Sequence, residues 1–120
     1  MDRLTIADLE VFCQIGITDV ERAAPQRLLI TVEMLHNFTH AAAQDDLAQT
    51  IDYAAVSERL LRLSKSRQWK LIETLASDLA AMLLNEFGGK TVFVEVKKFV
   101  IPQARFVAVS VTRSKRSQDD

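Results

Sequence analysis

The sequence predicts an α+β domain, an antiparallel sheet with two helices on one face, in the order β-β-α-α-β-β. Three observations predict it. Apolar residues alternate with others near both ends of the chain, they recur at helical spacing through its middle, and glycine, proline or polar clusters mark the changes of period.

The first strand is expected over residues 3–15, where Leu4, Ile6, Leu9, Val11, Cys13 and Ile15 mostly alternate and Gly16 ends the run. The alternation slips near Asp8, which predicts a bend or bulge there. In the second strand, residues 28–36, apolar Leu28, Ile30, Val32 and Met34 alternate with Leu29, Thr31, Glu33 and Leu35, so one face is wholly apolar and the other mixed. Between them, residues 17–27 carry Asp19, Glu21, Arg22, Pro25 and Gln26 in a loop longer than a tight turn needs, which points to a functional loop. Residues 37–52 read as a connector. A helix over 53–64 turns Val56, Leu60, Leu61 and Leu63 inward; a second over 71–87 carries the stripe Ile72, Leu75, Leu79, Met82 and Leu83 and stops at Gly88-Gly89. The segment joining them is short and polar. The last strands fall at 91–97, with Val92, Val94 and Val96 against Phe93, Glu95 and Lys97, and at 106–112, with Val107, Val109 and Val111; Pro102 lies in their connection. Residues 1–113 form one domain in this reading, and 114–120 a polar tail expected to fray.

With 120 residues the chain suits a single domain with a real core. Fifteen Lys and Arg against sixteen Asp and Glu leave a formal charge of −1, so no global field draws it to nucleic acid or an anionic membrane. No apolar run approaches the roughly 20 residues that span a bilayer. The single cysteine, Cys13, forms no internal disulfide, and Met1-Asp2-Arg3 opens no secretion signal, so the expected compartment is the cytoplasm. An open four-stranded sheet leaves two edges, and Leu29, Leu35 and Phe93 put apolar groups on the face away from the helices. Other copies in a symmetric ring would cover both, so a homo-oligomer is expected over coverage by the chain's own loops.

Most chemical motifs are weak. His36 and His40 have a helical ligand spacing, but His36 ends a strand and nothing nearby completes a metal site. Cys13, within a strand pattern, reads as a small core residue with no histidine to activate it. No glycine-rich loop cradles a phosphate. Trp69 between Arg67 and Lys70 reads as surface packing rather than a nucleic-acid platform. Glu73 is a carboxylate in the first turn of an apolar helix, where the helix dipole favours it, so alone it reads as a solvated charge. Glu21, Tyr53, Glu73 and Lys98 each fall at an element boundary, where site residues gather.

The surroundings of those four residues say more. Ile15-Gly16-Ile17 precedes Asp19-Val20-Glu21 and Pro25-Gln26; then come Ile51-Asp52-Tyr53-Ala54-Ala55-Val56, Leu71-Ile72-Glu73-Thr74-Leu75-Ala76 and Val96-Lys97-Lys98. In that order and at those separations, over about residues 4–113, the set resembles the dihydroneopterin aldolase family of folate biosynthesis. The resemblance implies the tunnelling fold, in which four subunits join their sheets into a barrel ring and two rings commonly stack, giving a tetramer or octamer with pterin sites between subunits. It implies that Glu73 anchors the 2-amino and ring N–H edge of the pterin, that Tyr53 covers the ring and relays a proton, and that the backbone at Ile51, Leu71 and Ile72 adds polar contacts. It implies Lys98 for acid–base work with Glu21 positioning it; strand alternation leaves Lys97 as the rival. Neither cofactor nor metal is implied, since the substrate's own imine takes up the electrons. Relatives often have proline soon after the lysine, whereas Phe99-Val100-Ile101 intervene here before Pro102. The alternatives are a 2′-epimerase of dihydroneopterin or its triphosphate, with Arg22, Arg27 and Arg105 as candidate phosphate cations, and a non-catalytic oligomer that binds pterin or purine.

Overall fold

Aliphatic residues at every second position build four strands, β1 (Asp2–Cys13), β2 (Gln26–His36), β3 (Thr91–Lys98) and β4 (Val107–Ser114). The computed structural model describes residues 1–115. The strands form one antiparallel sheet in the order β1-β2-β3-β4. The register of β1 against β2 shifts between Ile6 and Leu9, and there Asp8 takes a left-handed φ of 53°, which a short polar side chain tolerates. The Asp8 N–H donates to Thr31 Oγ1 at 2.9 Å and its carboxylate accepts from Lys97 Nζ at 2.8 Å. The bulge expected at Asp8 is therefore present and pinned.

Two helices cover one face, α3 (Tyr53–Lys65) and α4 (Ile72–Glu86). Asp52 caps α3 by accepting from the N–H groups of Ala54 and Ala55 at 3.0 and 3.2 Å. Beyond α4, Gly88 takes the left-handed φ of 73° that releases the chain toward β3, as the glycine pair predicted. The core lies between layers: Leu28, Ile30, Val32 and Met34 of β2 and the valines of β3 pack with Leu60, Leu75, Leu79 and Leu83. Leu29, Leu35 and Phe93 lie half-buried on the far face, among the ion pairs Arg3–Glu33 (3.4 Å) and Arg27–Glu10 (2.7 Å).

Several expectations change. The loop over 17–27 contains a short helix, α1 (Asp19–Arg22), and β2 begins at Gln26. The connector holds another, α2 (Thr39–Gln44), and a 3₁₀ turn at Leu47–Gln49. In α3, Leu61 and Leu63 are only half-buried; Ser64 is the buried residue, its hydroxyl donating to the Leu60 carbonyl at 2.7 Å. Ser114 is not tail but the end of β4, opposite Thr91, and the Lys115 N–H donates to the Lys90 carbonyl at 2.9 Å; the rest of the expected tail, 116–120, lies outside the described residues. Trp69 is not a surface residue: it is 1 % exposed. Its segment showed no periodicity because a single aromatic, not a repeating face, plugs the core. Among the described residues no helix is long and apolar enough to cross a membrane.

Candidate functional site

The ends of β1 and β3 and the start of β2 converge at one end of the sheet, where Lys98 is paired with Leu28 on one side and Val107 on the other. Alternation along β3 puts Lys98 on the helix side with Val92, Val94 and Val96 and sends Lys97 to the far face. There Lys97 meets Asp8, Glu95 (3.8 Å) and, at 4.9 Å, the Phe106 ring. Lys98 is buried, with its Nζ 3.5 Å from Glu21 Oε2. The structure thus separates the two rival lysines, and it is Lys98 that meets Glu21.

Glu21 is held by a capping box. Its N–H donates to Thr18 Oγ1 at 3.2 Å, while its Oε1 accepts from the Thr18 N–H at 3.4 Å and hydroxyl at 3.3 Å. The Thr18 N–H holds its carboxyl below the usual 4.5, opposed by burial and helped by the Lys98 charge. The loop is tied internally as well. The Arg22 guanidinium donates to the carbonyls of Gly16 (2.6 Å) and Ile17 (2.9 Å) and pairs with Asp19, and Gln26 Nε2 donates to the carbonyls of Ile15 (2.5 Å) and Glu21 (3.2 Å).

A second tether brings the start of α4 to this loop. The Gly16 N–H donates to the Trp69 carbonyl and the Trp69 N–H to the Gln14 carbonyl, both at 3.1 Å, a short parallel bridge centred on Ile15. Trp69 is fixed in turn by its indole N–H, which donates to Asp78 Oδ2 at 3.0 Å, and by Arg67 over its ring at 5.1 Å. Leu71, half-exposed, precedes α4 without a side-chain cap; Ile72 is buried and Glu73 stands exposed in the first turn. The uncapped turn leaves backbone donors beside the Glu73 carboxylate. A cavity of about 650 Å³ opens between loop and helix, lined by Ile17, Arg22, Trp69, Lys70, Leu71 and Thr74 among others.

Glu21, Lys98, Leu71, Ile72 and Glu73 therefore share one end of the domain, and Ile51 and Tyr53 do not. Tyr53 begins α3, whose 13 residues end at the segment carrying Trp69. At about 1.5 Å per residue, roughly 20 Å of helix separates them. The Tyr53 side chain is exposed and Ile51 is buried beside it in sequence. Sequence reasoning missed the clasp between Gln14–Gly16 and Trp69 and the role of Arg22. The one available signal was a glycine directly after a strand with a lone tryptophan far along the chain.

Other candidates acquire ordinary explanations. Cys13 is 1 % exposed and burial pushes its thiol up to about 11. His36 packs on Phe38 with ring centres 5.4 Å apart. Of the three arginines considered for a phosphate, Arg22 is spent on the loop, Arg27 pairs with Glu10 and lies over Phe99 at 5.2 Å, and Arg105 lies over Phe106 at 5.9 Å. The connection with the displaced proline closes through the Ala104 N–H on the Ile101 carbonyl at 3.0 Å and leaves Phe99, Val100 and Ile101 partly exposed.

Comparison with known proteins converges on one family. A family model described as dihydroneopterin aldolase matches residues 4–113. The dihydroneopterin aldolase of Haemophilus influenzae is 33% identical over 114 residues, covering 94% of this chain and 97% of that one. The crystal structure of the Escherichia coli dihydroneopterin aldolase in complex with neopterin superposes with a TM-score of 0.91 at 30% identity, covering 95% of this chain and 100% of that one. A Burkholderia dihydroneopterin aldolase bound to guanine gives 0.81 at 27% identity, covering 96% and 92%. With the tunnelling-fold subunit, the loop carboxylate facing a buried lysine and the family match running from β1 to β4, the chain belongs to the dihydroneopterin aldolase family.

Proposed function

We propose that this aldolase cleaves 7,8-dihydroneopterin between C1′ and C2′, releasing 6-hydroxymethyl-7,8-dihydropterin and glycolaldehyde, with Lys98 as the acid–base residue and Glu21 positioning it. The observation that carries the reading is the buried Lys98 Nζ 3.5 Å from Glu21 Oε2. The step is a retro-aldol reaction. The 2′-hydroxyl loses its proton, the C1′–C2′ pair flows into the ring imine, and N5 takes up a proton. The resulting enol gains a proton at C1′ and loses that at N5 to give the product. The imine is the electron sink, so neither a lysine Schiff base nor a cofactor is required. Lys98 exchanges protons near N5 through an ordered water, and Tyr53 serves as relay and ring cover.

Glu73 holds the pterin. An aminopyrimidinone edge offers two parallel N–H donors and a carboxylate two acceptor oxygens in a matching fork; the backbone at Leu71, Ile72 and Ile51 adds contacts. Tyr53 and Ile51 reach the pocket only from another copy, which supports a homo-oligomeric ring, tetramer or octamer, with sites between subunits. The free edges β1 and β4 supply the means of ring closure. Complexes of relatives with neopterin and with guanine support a pterin as ligand. A single buried free cysteine suits the cytoplasm as the compartment.

The test is incubation with 7,8-dihydroneopterin and EDTA, following products by chromatography and mass. The wild type yields both products, Lys98→Ala loses turnover by roughly 10²-fold or more while binding neopterin, and Glu73→Ala loses binding. A dominant C2′ epimer would make the chain an epimerase, and binding without conversion would make it a pterin-binding protein.

A further inference from the structure

We propose that Gly16 is a positioning residue for the acid–base pair: the lack of a side chain at this position is what lets the Glu21 carboxylate lie along the loop and face Lys98. The inference rests on the roles proposed above for Glu21 and Lys98. A β-carbon built at Gly16 would stand 2.3 Å from Glu21 Cβ, 3.0 Å from its Cδ and 3.1 Å from its Cγ. Carbons pack at about 3.5–4.0 Å, so the added methyl would overlap the whole arm of Glu21, not its tip. Rotating Glu21 about χ1 gives no relief, because its own Cβ is the nearest atom.

Both backbones are tethered. Gly16 is buried, its N–H bonded to the Trp69 carbonyl at 3.1 Å and its carbonyl accepting from Arg22 at 2.6 Å. Glu21 is bonded through its N–H to Thr18 Oγ1 at 3.2 Å and through its carbonyl to Gln26 Nε2 at 3.2 Å. Of the two, the exposed four-residue α1 yields before the buried segment clasped to Trp69, and its displacement carries Oε2 away from Lys98. Glu73 is spared, because it stands on α4 and is placed by the packing of that helix and by Trp69. A methyl group at position 16 is thus expected to impair proton transfer and leave pterin recognition in place.

The experiment compares wild type, Gly16→Ala, Glu21→Gln, Glu21→Gly and the double variant Gly16→Ala/Glu21→Gly in kcat, pH–rate profile and calorimetric affinity for neopterin. Gly16→Ala is expected to match Glu21→Gln, with kcat down roughly tenfold or more, the same altered pH profile and neopterin affinity within about twofold of wild type. Adding Gly16→Ala to Glu21→Gly, which removes the atoms it strikes, is expected to cost no further turnover, the strain of a β-carbon at the Gly16 φ of 156° showing only as lower stability. Should Gly16→Ala be too unstable to assay, the double variant is expected to be the more stable of the two, and a double variant no more stable than Gly16→Ala would overturn the proposal. Full kcat in Gly16→Ala, or joint loss of kcat and neopterin binding, would also overturn it. Wild-type turnover by Glu21→Gln would instead remove the assignment of Glu21, and the inference resting on it.

Discussion

Two carboxylates, Glu21 and Glu73, are both exposed and both in the first turn of a helix, yet the roles proposed for them differ because their surroundings differ. Glu21 meets a buried lysine; Glu73 stands exposed in the first turn of α4, flanked in sequence by Leu71 and Thr74 of the cavity wall. For Glu73 the expected outcome of Glu73→Gln is a loss of roughly 10²-fold in neopterin affinity, since an amide offers one acceptor and one clashing N–H donor pair to a donor–donor edge; calorimetry checks it. For Glu21 the depressed pKa fixes a pH dependence. Stability from a lowered folded pKa is present above the unfolded value and lost as pH falls through the folded one. The thermal advantage of wild type over Glu21→Gln is therefore expected to be level above about pH 5 and to shrink below the reference value of 4.5, measured by calorimetry from pH 7 to 3. Which of two adjacent lysines faces Glu21 was legible in the sequence only as an alternation; its phase depends on the register that the pairing of Lys98 with Leu28 fixes.

At the scale of elements, strands and helices follow from their periods, while the segments between them take their form from single contacts. The stripe of α4 and the alternation of β2 and β3 were legible because each repeats many times. The clasp of Gln14–Gly16 on Trp69 was not, because two backbone bonds between residues over fifty positions apart leave no local pattern. The same holds for α1, whose four residues depend on one capping box and the ties of Arg22. For α3, Asp52 closes the helix start at the residue directly before Tyr53. Asp52→Ala is expected to cost about 1 kcal/mol of stability, read from urea unfolding, and to lower kcat by loosening Tyr53.

At the scale of the whole molecule, the proposed site residues of one subunit fall at opposite ends of α3, Tyr53 at its start and the Trp69–Glu73 segment beyond its end. The motif order in the sequence suggested candidate residues but not that the thirteen residues of α3 keep Tyr53 from Glu73 within one copy, a fact of topology alone. The division predicts complementation. Homomers of Tyr53→Ala and of Glu73→Ala are each expected to be inactive, and after dissociation and mixing in equal amounts to regain roughly a quarter of wild-type activity, because that share of interfaces unites an intact Tyr53 with an intact Glu73. No recovery would place both residues of a site on one copy. Trp69 adds a practical consequence. It is the chain's single tryptophan, sealed from water where loop and helix are joined. Excited at the red edge, where Tyr53 does not absorb, each unlabelled subunit therefore emits from one known point beside the cleft. A reduced pterin absorbs where indole emits, so seating the substrate dims that light by energy transfer, and opening of the clasp shifts it to the red. Occupancy and local opening can thus be followed separately, in the native protein, from one spectrum.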